Sequence, residues 1–204
     1  MTVMNFPRSL SPGKIIPRAL IALSLSLSVS AAFAGAQREE QLSDSVKSAL
    51  HKAVADTPIT RNYFESETHE KAWLDEMSSR LKKKFGEVED SMDFLRTVHY
   101  EAMRAGLDPE MVLGLIQVES NFRKYALSSV GARGFMQVMP FWVKQIGSKD
   151  HNLFNLRTNL RYGCIIMRHY LNIEKGDYFR ALGRYNGSLG KAEYPTLVVN
   201  AWKN

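Results

Sequence analysis

The sequence reads as an all-α, or at most α-dominant, protein. No segment alternates apolar and polar residues with period two, several segments repeat apolar residues at three- and four-residue steps, and proline and glycine fall between those segments. Of its 204 residues, 45% are hydrophobic and 24% charged, the balance of a globular domain with an ordinary core.

The N-terminus stands apart. Arg8, Lys14 and Arg18 precede an apolar run over 19–29, and residues 30–36 are small apart from Phe33, the layout of a secretory signal peptide. Cleavage is expected after Ala36, in preference to Ala34, because polar sequence starts at Gln37. The competing reading is a membrane anchor, which needs about 20 apolar residues; this run is shorter and carries serines at 24, 26, 28 and 30. The expected destination is the periplasm or cell wall. Losing the leader's three cations lowers the net charge from +6 to +3, and no basic block with interleaved aromatics marks a nucleic-acid surface. Lys82, Lys83 and Lys84 read as a solvated helix face. The single cysteine, Cys164, excludes an intramolecular disulfide and sits on an apolar helix stripe.

Residues 37–90 form a helix-permissive extension broken at Pro58 and Gly86, with a helix over 67–84 carrying Ala72, Trp73, Met77 and Leu81. It contains no evident chemistry: His69-Glu70 lacks the second histidine of a zinc-protease motif, and neither metal nor cofactor is expected. From 91 to 204 the chain is expected to form the functional domain. Its first helix covers 91–105 (Phe94, Leu95, Val98, Ala102, Met103) and stops at Gly106. Asp108 then serves as N-cap and Pro109 as first residue of a helix over 109–122. Two more helices follow, over 159–175 before Gly176, and over 178–185 before Asn186-Gly187.

The helix over 109–122 is the informative one. At 3.6 residues per turn, Val118, Met111, Phe122, Leu115, Val112 and Ile116 share one arc, and Glu119 projects inside it between Leu115 and Val112. A carboxylate on a core-facing stripe is costly unless paired or protonated. Two readings follow: a structural glutamate, paired with a buried arginine or set at the rim of the core, or a carboxyl held protonated for acid catalysis. No further Asp or Glu occurs before Asp150, whereas glycines and amides do, and 128–140 is punctuated by Gly131 and Gly134, as a loop approaching an extended polar ligand would be.

Three ordered motifs then carry a resemblance: Glu119-Ser120-Asn121-Phe122, Gly131-Ala132-Arg133-Gly134-Phe135-Met136-Gln137-Val138-Met139-Pro140, and Ala181-Leu182-Gly183-Arg184-Tyr185-Asn186-Gly187. Over about 91–190 the sequence resembles the soluble-lytic-transglycosylase catalytic domain, with Phe135 where leucine is usual and Ser188 where proline is frequent. The resemblance implies a lysozyme-like helical fold and a lyase that cleaves the β-1,4 bond between N-acetylmuramic acid and N-acetylglucosamine, closing the C6 hydroxyl onto C1. Glu119 would be acid and then base. Ser128, Met136, Gln137, Tyr185 and Asn186 would bind substrate, with Tyr185 close to Glu119; Ser120 would support the helix end.

Peptidoglycan strands are thus the expected partner of a monomeric enzyme, and the extension could dock a cell-envelope protein. The sequence ends at Asn204, so no wall-binding module is expected after the domain. Two alternatives remain: a hydrolytic muramidase of the same fold, drawing a second carboxylate from Asp150, Glu174, Asp177 or Glu193, or a non-catalytic peptidoglycan-binding protein.

Overall fold

Periodicity and caps set the element order seen in the computed structural model, which describes residues 37–55, 62–85 and 91–203. The leader, Pro58 and Gly86 lie outside the described residues, as do the side chains of Lys83 and Lys84. Eight helices are described: α1 Asp44–Val54, α2 Glu67–Phe85, α3 Ser91–Arg104, α4 Pro109–Ser120, α5 Pro140–Ile146, α6 Leu156–Ile173, α7 Tyr178–Asn186 and α8 Glu193–Lys203. The described residues contain no strand, only isolated bridges from Arg133 to Leu127 and Val138. The all-α expectation holds, and none of the described helices is long and apolar enough to cross a membrane.

Local chemistry explains the boundaries. Asp108 accepts from the amides of Glu110 (2.7 Å) and Met111 (3.1 Å), and Pro109 starts α4 where its missing N–H costs nothing. At the other end Asn121 turns left-handed (φ 47°), followed by Phe122 (φ 62°), so α4 stops two residues before the expected end. Asn155 caps α6 by accepting from Thr158 N, and Gly187 (φ 78°) closes α7. Helix α8 was not expected from the sequence; Pro195 falls in its first turn, where proline is tolerated.

The core spans all of these helices. Helix α4 lies along α8 so closely that a Cβ on Gly114 would meet the backbone nitrogen of Trp202 at 2.8 Å. Cys164 is fully buried, as its stripe position implied. The extension is integral to this packing. Phe64 stacks on His99 of α3 at 3.6 Å, Trp73 meets the same ring edge-on at 5.0 Å, and Arg104 donates to Ala53 O at 2.7 Å. Glu101, 1% exposed, joins α3 to α6 through Arg104 (3.3 Å), Arg157 (3.5 Å) and Arg161 (3.4 Å). Desolvating one carboxylate is tolerable because three guanidinium groups replace its water.

Candidate active site

Glu119 sits in the last turn of α4, 4% exposed and flanked by the fully buried Leu115 and Val112, the position its periodicity predicts. Its Oε1 accepts a hydrogen bond from the phenol of Tyr194 in the first turn of α8. Burial, and then the charge of Glu119, push the Tyr194 hydroxyl well above the ordinary tyrosine range. Tyr194 therefore keeps its proton at neutral pH and acts as a donor. Ser120 beside the acid donates to Ile116 O at 3.2 Å and holds the helix end.

The loop over 121–139 folds into a tight scaffold beside this helix end. Ser128 accepts from Ala132 N (3.0 Å) through its hydroxyl, closing a turn at Gly131 (φ 90°). Gly134 (φ 73°) donates to Ala126 O at 2.9 Å. The loop is clamped from below by Asn159 of α6, fully buried, whose Oδ1 accepts from Met136 N and whose Nδ2 donates to Arg133 O and Leu153 O, each at 2.8 Å. No room remains at Gly134, where a Cβ would lie 2.4 Å from Asn159 Nδ2.

The expected binding residues divide on this geometry. Tyr185 is fully buried, donates to Met136 O at 2.7 Å, and is pushed up by burial first and by the charge of Glu119 second. It lies near the acid but anchors the loop, and the phenol on the carboxylate belongs to Tyr194. Met136 is fully buried with its sulfur against Gly163, so it packs the core beneath the loop and does not form an exposed subsite wall. Gln137, 1% exposed, turns its amide nitrogen inward to Ala126 O (3.1 Å) and Gly134 O (3.0 Å), with its own backbone left-handed (φ 46°). Its amide nitrogen fixes the loop's shape. Asn186 ends α7 and is 6% exposed; Ser128 is half-buried at the loop's turn.

Sequence reasoning missed Tyr194, Asn159 and Gln37. Asn159 could have been suspected as a polar residue on the apolar side of its helix; Tyr194 and Gln37 carry no local signal, since their partners lie 75 and about a hundred residues away. Among the described residues no group of three His, Cys, Asp or Glu side chains is placed to hold a metal.

The family model described as "Transglycosylase SLT domain" matches residues 96–195, a span that runs from α3 to Pro195 and takes in both Glu119 and Tyr194. The chain carries a transglycosylase SLT domain. Outside the family model, the chain is 31% identical over 104 residues to "Transglycosylase" of Enterobacteria phage PRD1, covering 51% of this chain and 38% of that protein. It is 28% identical over 113 residues to "Membrane-bound lytic murein transglycosylase C" of Haemophilus influenzae (strain PittEE), covering 48% and 32%. The chain thus spans less than two fifths of the length of these curated relatives. A solved structure of lytic transglycosylase Slt from Pseudomonas aeruginosa is 20% identical and covers 67% of this chain and 26% of that one, with a TM-score of 0.45. Within the SLT domain, Glu119, Ser128, Met136, Gln137, Tyr185 and Asn186 all fall inside the match, whereas Gln37 lies well upstream of it.

Proposed function

We propose that this protein is a peptidoglycan lytic transglycosylase that cuts the β-1,4 bond between N-acetylmuramic acid and N-acetylglucosamine and leaves 1,6-anhydromuramyl ends. The observation that carries the reading is Glu119: a buried carboxyl in an apolar helix face that accepts a hydrogen bond from the Tyr194 phenol, beside a glycine-punctuated loop. In the proposed reaction Glu119 donates a proton to the leaving oxygen as the C1–O4 bond breaks, and the substrate's own acetamide stabilises C1. Ionised Glu119 then takes the proton of the C6 hydroxyl as O6 bonds to C1, so one carboxyl serves as acid and base in turn. Tyr194 orients the carboxylate through both steps.

Hydrolysis by the usual two-carboxylate route needs a second carboxylate across the bond from the first, and three of its four candidates have other partners. Glu174 is held by Arg180 (2.5 Å) and Arg184 (2.6 Å), which keep its carboxyl below the usual range. Asp177 caps α7, and Asp150 accepts from Ser148 Oγ. Glu193 is exposed on the first turn of α8. Peptidoglycan strands are the proposed partner, and export to the envelope, where relatives named membrane-bound murein transglycosylases act, is the proposed destination.

Digestion of purified sacculi followed by mass analysis tests the chemistry. Products one water lighter than hydrolysed muropeptides are expected, together with their loss in Glu119→Gln at unchanged folding. Products of full hydrolysed mass would favour the muramidase, and equal release by wild type and Glu119→Gln would leave a glycan-binding protein.

A further inference from the structure

Gln37 is 4% exposed although it stands at the start of a polar segment. Its Oε1 accepts from Trp142 Nε1 at 3.0 Å and from Met139 N at 3.3 Å. Its Nε2 donates to Gln137 O at 3.5 Å. A carboxamide offers two N–H donors and two acceptor lone pairs; these three contacts use both acceptor sites and one donor. The residues that follow pin the segment down: Gln145 Nε2 donates to Glu39 Oε1 (3.0 Å) and Glu40 O (3.3 Å), and Arg184 pairs with the Glu40 carboxylate at 3.5 Å.

Each partner matters to the site. Gln137 holds a left-handed backbone that a non-glycine residue keeps only when its surroundings impose it, and Gln37 bonds its carbonyl. Met139 and Trp142 fix where the loop enters α5. Tyr185, the neighbour of Glu119, donates to Met136 O in the same loop. A side chain from outside the SLT match therefore ties the loop to α5, and Tyr185 of α7 is bonded to that same loop at Met136 O.

We infer that Gln37 is a positioning residue for the reaction at Glu119, setting the 136–139 backbone and Tyr185 relative to the acid. The inference rests on the transglycosylase reading above. A purely structural role predicts a stability loss alone; a positioning role predicts slower turnover at nearly unchanged affinity, because a small displacement of a catalytic frame costs far more rate than binding.

The test compares Gln37→Met, which keeps length and removes both polar ends, and Gln37→Glu, which keeps the acceptor and removes the donor. Leu74→Ala in α2 serves as a destabilised control remote from the loop. Turnover of solubilised glycan strands, KM and the thermal midpoint are read for each, well below the lowest midpoint. For Gln37→Met, kcat should fall about tenfold or more with KM within about twofold, while Leu74→Ala keeps kcat within about twofold at an equal or larger midpoint loss. Gln37→Glu should be slow at neutral pH, and its rate relative to wild type should rise on acidification, because a protonated carboxyl regains a donor. Wild-type rates in Gln37→Met, a flat Gln37→Glu ratio, or a loss matched by Leu74→Ala would each overturn the inference. Wild-type protein that releases no glycan fragments would overturn the transglycosylase reading and this inference with it.

Discussion

Tyr194→Phe removes one oxygen from a fully buried ring and leaves the ring's packing intact, so it isolates the hydrogen bond to Glu119. A hydrogen bond to a charged group contributes about 1.5–3 kcal/mol, against about 0.5–1.5 kcal/mol for a neutral pair. In the wild-type background, at a pH where Glu119 is ionised, Tyr194→Phe should cost the larger amount. In a Glu119→Gln background, where the acceptor is a neutral amide of the same shape, it should cost the smaller one. The double-mutant cycle should return a coupling of about 1 kcal/mol or more, with urea unfolding and matched m-values as the assay. The same lost donor should slow turnover of sacculi by about one to two orders of magnitude, the kinetic equivalent of 1.5–3 kcal/mol. Additivity within about 0.3 kcal/mol would show that Tyr194 does not hold the acid, and the account of how Glu119 is oriented would fall.

Two further outcomes follow from the packing and the titration of named groups. Gly114→Ala places a Cβ 2.8 Å from the Trp202 backbone, which no side-chain rotation can relieve. It should lower stability by about 1–3 kcal/mol by chemical denaturation and reduce activity by moving α8, and with it Tyr194, off α4. His99, 6% exposed between Phe64 and Trp73, has its pKa lowered by burial from 6.5 to about 4. The unfolded chain takes up this proton first, so the stability contribution is complete above about pH 6.5, shrinks as pH falls, and is fully lost near pH 4. Unfolding at pH 7 and pH 4.5 should show a loss of about 2 kcal/mol that His99→Phe largely abolishes; an equal pH slope in both proteins would contradict the assignment.

What the sequence disclosed, and what it hid, follows from the range of each interaction. The burial of Glu119 was legible because helical periodicity is local: its neighbours on the arc are three, four and seven residues away. The caps at Asp108 and Gly187 were legible for the same reason. The early end of α4 was not, since Asn121 and Phe122 both satisfy helix patterning and turn left-handed only in the context of the loop. Helix α8 was obscured by Pro195, which suggests a break unless the first turn is already known. Met136 and Gln137 carried motif positions that suggested sugar contacts, yet the cleft at Gly163 and the carbonyls of Ala126 and Gly134 draw both inward. Asn159, Tyr194 and Gln37 act on the site across 23, 75 and about a hundred residues, distances at which sequence pattern is silent.

Glu101 and Glu119 are the two most deeply buried glutamates among the described residues, and their surroundings differ in kind. Glu101 faces three arginines at 3.3–3.5 Å, and these charged partners make it a clamp between α3 and α6. Glu119 is met by a phenol that carries no charge. A neutral donor orients a carboxylate without tying it to one protonation state, because the same hydroxyl can donate to the ion or accept from the acid. That is the property required of a single group that must give a proton and then take one back. The hydrogen bond from Tyr194, together with the apolar arc around Glu119, supports the proposed catalytic role, and Glu101 is the clamp of the two.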